Sequence, residues 1–374
     1  MIKRLQQPNV PGVKFRDTIK SALLMALLMI MAAMLLPPCA LAETEEQQGR
    51  LYRTPQEQRD AGSEHEITSW LTISGLVETE RQEERLRLEN SGKTDHFADT
   101  ATTLQMGLAL SPLEWIKGEF TWEHDSNTDT WTTDEATLEF EYESMELVIG
   151  KQDLPFGVYF SSFSSGPLIE FGETKDDAIA FSYDHEELVD ISLAVYRGVA
   201  TRLNTNRGLD WSLAVEAWPT DSFSFGISYL SDLADSDERF LQDEGNRYEK
   251  KTPALSGFIL WAQPRYEISL EFLGALRDFR ELDDDRNRPE AWNLELVHIL
   301  SSKFSWAVRL EGSRELEDEP EKRAGIALNS RLHQNIALTI EVLRGNFKTT
   351  LATDDDDNNY ENITTYGIQL SVAL

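Results

Sequence analysis

The sequence predicts an all-β protein, a transmembrane antiparallel β-barrel of about sixteen strands with long extracellular loops and short periplasmic turns. Three observations predict it. Apolar and polar residues alternate in short segments from Thr68 to the end of the chain, short and long connections alternate between these segments, and a leader precedes them. Because side chains alternate between the two faces of a strand, each segment has one apolar and one polar face.

Residues 1–42 are predicted to be a signal peptide. An apolar run from Ala22 to Leu36 ends at Pro37-Pro38, and Ala40-Leu41-Ala42 has the small-x-small form of a cleavage site. A retained anchor is the alternative, but a spanning helix needs about 20 apolar residues. We therefore expect cleavage after Ala42, which would also remove Cys39. The basic residues before the run are Lys3, Arg4, Lys14, Arg16 and Lys20.

Composition excludes several classes of protein. The 374 residues include 35 basic and 66 acidic side chains, a net charge of −31. A nucleic-acid binder needs a basic surface, so we expect no nucleic-acid partner. Cleavage after Ala42 would remove five basic residues and one acid, leaving 30 and 65, a net charge of −35. The single cysteine excludes a disulfide scaffold and a thiolate zinc site.

Residues 43–67 are predicted to be a short polar periplasmic segment, because they are charged and broken by Gly49, Pro55 and Gly62. Residues 68–374 are predicted to form the barrel. Its strands are expected at 68–79, 100–111, 113–123, 134–142, 145–152, 177–184, 187–196, 209–217, 221–230, 254–262, 264–275, 290–299, 302–313, 322–331, 334–347 and 362–374.

The connections favour a membrane barrel over a large secreted β-protein, which is the alternative. Short turns alternate with long acidic connections, the first of them predicted at 80–99. That alternation and the even strand number are typical of outer-membrane barrels. Aromatic residues lie near strand ends, where they would meet lipid headgroups; they are Trp115, Trp122, Trp211, Trp218, Trp292 and Tyr142. The location predicted is the outer membrane of a Gram-negative bacterium, with outer-membrane lipid, lipopolysaccharide and the barrel-assembly machinery as partners.

The polar face of sixteen strands should surround a water-filled interior. Its charges are of both signs, and Arg309, Arg323 and Arg331 fall on two adjacent strands. Opposed acidic and basic walls would orient a dipolar solute. The alternative is that cross-strand ion pairs stabilise the wall without touching a solute.

Loop three, predicted at 153–176, is the long connection that differs from the others, because it is aromatic and apolar where they are acidic. We expect it to fold into the barrel and form a constriction opposite the three arginines, since so apolar a loop is poorly placed in water. An ordinary capping loop or a contact with a neighbouring subunit is the alternative. The candidate binding and constriction residues are Pro155, Phe156, Tyr159, Phe160, Phe163, Gly166, Leu168, Glu173, Lys175, Arg309, Arg323 and Arg331.

Four short stretches in and beside loop three resemble the LbtU-type siderophore porins, a family of outer-membrane barrels associated with siderophore uptake. The stretches are Gly150-Lys151, Pro155-Phe156-Gly157, Gly166-Pro167-Leu168 and Gly172-Glu173-Thr174-Lys175. Gly166 stands where the family pattern has an acid, and Lys175 where it has an arginine. The resemblance implies a ferric siderophore as the solute. A general or sugar-selective diffusion porin is the alternative.

Catalysis and cofactor binding are not indicated. The six histidines are scattered and no G-x-S-x-G motif occurs. A barrel hydrolase with a triad assembled across strands stays open as an alternative, as does an adhesin. The acidic run from Asp354 to Asp357 lacks the glycine and glutamate of a calcium loop. We predict no catalytic residue, no metal site and no cofactor, and the sequence leaves a homo-oligomer open.

Overall fold

The structure of the chain, a computed structural model, describes residues 65–89, 91–186, 188–198, 208–236, 250–284, 286–348, 352–354 and 358–373. The predicted signal peptide with Cys39, the polar segment up to residue 64, Asp355 to Asp357 and Leu374 lie outside these residues. No helix among the described residues is long and apolar enough to cross a membrane.

The described residues form seventeen strands and two short helices. The strands are β1 (His65–Thr68), β2 (Leu71–Leu88), β3 (Thr94–Leu113), β4 (Ile116–Asp125), β5 (Thr130–Tyr142), β6 (Met145–Asp153), β7 (Lys175–His185), β8 (Val189–Tyr196), β9 (Asp210–Thr220), β10 (Phe223–Leu230), β11 (Ala254–Gln263), β12 (Tyr266–Ala275), β13 (Glu290–Ser301), β14 (Phe304–Arg314), β15 (Lys322–His333), β16 (Ile336–Asn346) and β17 (Tyr360–Ala373). The α-helix α1 spans Pro167–Gly172, and a 3₁₀ helix spans Leu233–Asp235.

Strands β2 to β17 form a closed barrel. Each pairs antiparallel with the next, and β17 returns to pair with β2, where Gln369 lies opposite Glu80. Strand β1 is an addition that pairs with the start of β2. The prediction of a sixteen-strand antiparallel barrel is therefore confirmed, and a closed barrel has no free strand edge.

The sixteen predicted segments correspond to β2–β17, with ends that differ by a few residues in most cases. The predicted boundary at residue 68 falls inside β1. Short turns such as 114–115, 143–144 and 221–222 lie at one end of the barrel, here called the short-turn end. The other end, here called the long-loop end, has connections such as 154–174, 231–253 and 276–289.

The predicted long loop at 80–99 is wrong. Strand β2 continues to Leu88 and β3 begins at Thr94, so a tight turn joins two long strands. Leu86 and Leu88 are buried in an apolar cluster with Tyr360 and Ile363 of β17. Burial of this cluster stabilises the extension of the hairpin beyond its neighbours.

The two faces of the barrel differ as the alternation predicts. On the outer face Leu138, Phe225 and Ile326 are 43%, 44% and 49% exposed. On the inner face Ser224 is 5% exposed. Several strand-end aromatics are also exposed outward; they are Trp115, Trp122, Trp211, Trp292 and Tyr142. The outer face is therefore an apolar band with aromatic residues near its edges.

Candidate functional site

Loop three lies on the inner face of the barrel. It leaves β6 after Asp153 and enters β7 at Lys175. Val158 N in the loop donates a hydrogen bond to Glu271 Oε1 over 2.9 Å. The residues on either side of Glu271, Leu270 and Phe272, are both 42% exposed on the outer face. Because side chains alternate along a strand, the loop is on the polar, interior side.

Three interior carboxylates hold the backbone of the loop. Glu271 also accepts from Tyr159 N at 3.2 Å. Glu295 accepts from Ser162 N at 2.8 Å, and Glu341 accepts from Ser164 N at 2.8 Å. These acids lie on β12, β13 and β16, so successive residues of the loop are attached to successive parts of the wall. Charge-assisted hydrogen bonds of this kind are stronger than neutral ones.

Polar side chains on other strands extend this contact in both directions. Ser228 Oγ on β10 accepts from Gly157 N at 3.0 Å. Asn329 Nδ2 on β15 donates to Ser162 O at 3.0 Å, and Thr339 Oγ1 donates to Asn329 Oδ1 at 2.7 Å. On the far side Ser164 Oγ donates to Glu80 Oε1 on β2 at 3.2 Å. Residues 157–165 therefore follow the inner wall from β10 round to β2.

Arg309 lies beneath the middle of the loop and is 1% exposed. Its Nη1 donates to Ser161 Oγ at 3.0 Å, and its Nη2 donates to Ser165 O. Its Nε lies 2.9 Å from Glu311 Oε2, and its guanidinium lies 4.1 Å from the centre of the Phe163 ring. A buried arginine needs partners of this kind, because an unpaired buried charge is costly.

Apolar side chains of the loop fill the space between it and the wall. Phe156, Leu168 and Phe171 belong to a buried cluster with Leu273 and Phe279. A second cluster joins Phe163 to Val297, Ala307, Ala327 and Leu343 of β13–β16. Phe160 meets Phe258 of β11 edge to face, with ring centres 5.6 Å apart. The aromatic composition of the loop is thus explained by packing inside the barrel.

Local geometry explains the glycine at two positions in the stretches that resemble the siderophore porins. Gly157 has a φ of +78°, in the left-handed region that favours glycine, and precedes Tyr159, which has a φ of +50°. A Cβ on Gly166 would lie 3.0 Å from Arg309 Nη1. An acid at this position, as in the family pattern, would meet the arginine directly. The glycine leaves that space to the loop backbone.

The ends of the loop are held by charge. Lys175 Nζ bonds to Asp134 on β5 and lies 3.4 Å from Asp153 at the end of β6. Leu154 N donates to Thr174 O at 2.9 Å, which closes the base of the loop. Pro155 is half-buried at this base, and Glu173 is half-buried near its end. The GETK stretch therefore lies at an anchor point of the loop.

The predicted role of the arginines needs a correction. Arg309 and Arg323 do not face an open constriction: Arg323 is 6% exposed and its Nε bonds to Glu311, the acid that also pairs with Arg309. The sequence predicted that loop three would lie opposite Arg309 across a constriction, but in the structure the loop packs directly against Arg309. Arg331 faces the interior two residues before the end of β15, at the short-turn end. The three arginines are thus not brought together.

The wall that loop three leaves uncovered is acidic. It consists of the interior faces of β4–β9 near the short-turn end, and its carboxylates are Glu119, Glu139, Glu141, Glu146, Asp190 and Glu216. Glu141 lies opposite Glu146, and Asp190 lies opposite Glu216, in the strand register. Like charges placed directly opposite are destabilising. In this patch Lys117 contributes a positive charge, with its Nζ 2.6 Å from Glu119 Oε1.

Three buried aspartates form a second acidic cluster at the long-loop end. Carboxylate oxygens of Asp210, Asp232 and Asp235 lie within 4.8 Å of one another, and Lys251 Nζ lies 2.6 Å from Asp210 Oδ1. Such a group could hold a metal ion, which the sequence did not predict. Asp232 precedes the 3₁₀ helix, and its Oδ1 accepts from Ala234 N and Thr252 N. Burial, followed by the charge of Asp235, raises the pKa of Asp232 to about 8.

This pKa predicts a pH dependence of local stability. A carboxyl whose pKa is higher in the folded state stabilises the fold fully below its unfolded pKa of about 4 and loses that contribution as the pH rises to about 8. Asp232→Asn keeps the acceptor for both backbone N–H groups and cannot ionise. We expect the variant to be more protected above pH 8, with a weaker pH dependence between pH 4 and 8. Hydrogen exchange of residues 231–236 measures this, and equal pH profiles of variant and parent would contradict it.

The comparisons with known proteins agree with this geometry. No protein-family model matches the chain, and no curated protein is similar to it in sequence. Solved structures are similar in fold. The outer-membrane channel DcaP of Acinetobacter baumannii is 12% identical, with a TM-score of 0.57 over 84% of this chain and 99% of that one. OmpF of Salmonella typhi, in a complex with daunomycin, is 9% identical, with a TM-score of 0.57 over 80% and 97%.

A mutant of the Rh. blastica porin is 10% identical, with a TM-score of 0.53 over 81% of this chain and 100% of that one. At these identities the similarity concerns the fold. The chain has the closed antiparallel β-barrel fold of bacterial porins.

Proposed function

We propose that the protein is an outer-membrane channel through which small hydrophilic solutes diffuse, and that loop three narrows it. The observation that supports this most is the position of residues 157–165, which are attached to interior side chains from β10 round to β2. A polypeptide segment that occupies the interior reduces the width available to a solute. Outer-membrane lipid would surround the apolar band, and the barrel-assembly machinery would insert the chain.

The charge of the interior favours cations. Arg309 and Arg323 are buried beneath the loop, where both pair with Glu311 and Arg323 Nη2 also lies 3.9 Å from Glu319, so two acids compensate their two charges. The uncovered wall retains Glu139, Glu141 and other carboxylates in half-buried or exposed positions. A narrow passage lined by one sign of charge raises the local concentration of the opposite ion. We therefore propose a cation-preferring channel.

A reversal-potential measurement across a planar bilayer with a salt gradient tests this preference. The parent should show a permeability ratio for K⁺ over Cl⁻ above one. Glu139→Gln/Glu141→Gln/Glu146→Gln should bring the ratio toward one, more so at low salt, where charges are less screened. Asp129→Asn removes a 95% exposed carboxylate in the β4–β5 turn and should leave the ratio unchanged. An anion-preferring parent would contradict the proposal.

A ferric siderophore is the second candidate solute, since the stretches that resemble the siderophore porins all lie in or beside loop three. Several of their residues hold the loop in place, as Gly157, Gly166 and Lys175 do. Adding a ferric hydroxamate siderophore to one side of the bilayer distinguishes the two candidates. Transient block at micromolar concentration, absent with sugars of similar size, would favour a siderophore channel. Equal passage of both would favour general diffusion.

The membrane location predicts a difference between neighbouring residues of β5. Leu138 faces outward and is 43% exposed, whereas Thr137 faces the interior across from Glu119. An arginine facing lipid at mid-depth costs about 2–4 kcal/mol. Leu138→Arg should reduce the heat-modifiable folded form in outer-membrane fractions, and Thr137→Arg should not. Equal loss in both variants would contradict the assignment of the faces. The same comparison on β15, Ile326→Arg against its interior neighbour Gly325→Arg, is less suitable, because a Cβ at residue 325 would lie 2.7 Å from Leu343.

A further inference from the structure

A group of basic side chains faces outward at the long-loop end of strands β15, β16 and β2. Arg344 illustrates the orientation: its neighbours Leu343 and Gly345 face the interior, and Val342, two residues before it, is 40% exposed on the outer face. The same alternation turns Lys322 and Arg81 outward. The group, here called the outer basic patch, comprises Lys322, Arg344, Arg81, Arg85 and Arg87.

The strand register places these residues side by side. Arg344 lies opposite Thr364 of β17, and Thr364 lies opposite Arg85 of β2. Two strand spacings correspond to about 10 Å, which two arginine side chains can bridge. Lys322 is two residues from Ala324, the partner of Arg344 on β15. The patch is therefore a continuous surface across four strands.

The patch borders the apolar band. Ile326, Val342 and Ile368, on β15, β16 and β17, are exposed outward at 49%, 40% and 39%. One step of two residues along a strand covers about 6.6 Å, and one such step from Val342 reaches Arg344. A lipid whose acyl chains cover the apolar band would place its headgroup at the height of the patch.

The basic residues of the patch are incompletely neutralised. Arg85 pairs with Glu83 at 3.3 Å and lies 5.0 Å from the centre of the Tyr366 ring, and Arg87 Nε lies 3.7 Å from Glu361. Arg344 and Lys322 form no ion pair with any residue in the described part of the chain. In a chain with 66 acidic and 35 basic residues, a surface with an excess of positive charge is unusual.

We propose that the outer basic patch binds the phosphate groups of an outer-leaflet glycolipid, the phosphorylated lipid A of lipopolysaccharide. The guanidinium group matches phosphate oxygens in a two-pronged hydrogen-bonded geometry, and the ammonium group of Lys322 adds a point charge. The proposal rests on the membrane location in the proposed function and is independent of which solute passes the channel. In this proposal a lipid A molecule stays bound to this side of the barrel.

Lipid retention by the purified full chain in detergent tests the proposal. The protein is mixed with bisphosphorylated lipid A, and bound lipid is measured by native mass spectrometry. Arg344→Glu/Lys322→Glu should weaken retention by roughly tenfold or more, since each basic residue near an anionic lipid surface contributes on the order of a factor of five. Arg265→Glu/Lys303→Glu makes the same charge change at the short-turn end and should retain lipid A as the parent does.

Chemically dephosphorylated lipid A provides the second arm, and the parent should retain it as poorly as the patch variant retains the intact lipid. Equal retention of intact and dephosphorylated lipid A by the parent would mean that apolar contact alone holds the lipid. An equal loss of lipid A in the patch variant and in the short-turn-end variant would mean that the overall charge of the protein, and not the patch, determines binding. Either result, or no retention by the parent, overturns the proposal. Single-channel conductance of the patch variant should stay unchanged, so a failure of the channel function would be seen separately.

Discussion

Removal of residues 158–165 should raise the single-channel conductance several-fold and abolish discrimination between solutes of different size, with the barrel still folded. These residues lie in the interior, attached to Glu271, Glu295 and Glu341, whereas the strands pair with one another without them. Deletion therefore takes material out of the channel and leaves the wall closed. Planar-bilayer recording gives the conductance, and the gel shift between unheated and boiled protein reports the fold.

Replacement of residues 158–165 by eight glycines is the matched control for the deletion. It keeps the number of residues in the interior but removes the Ser161 hydroxyl and the Phe163 ring, which contact Arg309. We expect fluctuating conductance, because the backbone N–H groups can still reach the wall carboxylates but the side-chain packing that fixes the loop is gone. If the deletion leaves conductance and selectivity unchanged, loop three does not narrow the channel.

Arg309→Ala should have the second large effect, a loss of stability on the order of 3–5 kcal/mol, typical when one partner of a buried ion pair is removed. Glu311 is 1% exposed and would lose Arg309, whose Nε lies 2.9 Å from it, while it keeps its ion pair with Arg323. The loop would lose the hydrogen bonds that Ser161 and Ser165 accept from Arg309. Urea unfolding in lipid vesicles measures the stability change, and bilayer recording should show flicker of the open channel.

Arg331→Ala is the matched control for this variant. Arg331 also faces the interior of the barrel but lies half-buried at the short-turn end. Its removal should leave the unfolding midpoint and the open-channel noise close to those of the parent. If Arg309→Ala is as mild as the control, Arg309 does not hold the loop.

The barrel could be predicted from the sequence because a period of two is visible wherever one face is apolar. Residues 80–85 of β2 were missed because both faces of the strand are polar there: Arg81 and Arg85 face outward, and Glu80 and Glu84 face inward. No apolar alternation marks such a strand, although it is paired along its length with β17 and β3. The prediction from apolar periodicity therefore ended the strand too early.

The interior position of loop three was expected from its aromatic composition, but its attachment was not. Glu271 and Glu295 stand at polar positions of their alternating segments, yet their partners are backbone N–H groups of the loop, which every residue type except proline offers. The sequence pattern therefore gave no sign of which strand each loop residue would meet. For the same reason Arg309 was expected to face a solute, whereas it lies beneath the loop.

A cross-linking measurement tests the central claim, that loop three lies against the inner wall of the barrel. Ser164→Cys and Glu80→Cys, introduced together with Cys39→Ser, replace two side chains whose oxygen atoms lie 3.2 Å apart. The matched pair uses Arg81→Cys, whose side chain points to the opposite face of β2. Because cysteine is shorter than glutamate and a disulfide needs closely spaced Cβ atoms, a short bis-maleimide is used to join the two thiols in isolated outer membranes. Ser164→Cys should be cross-linked to Glu80→Cys and not to Arg81→Cys. A cross-link to Arg81→Cys, or to neither, would contradict the placement of loop three inside the barrel.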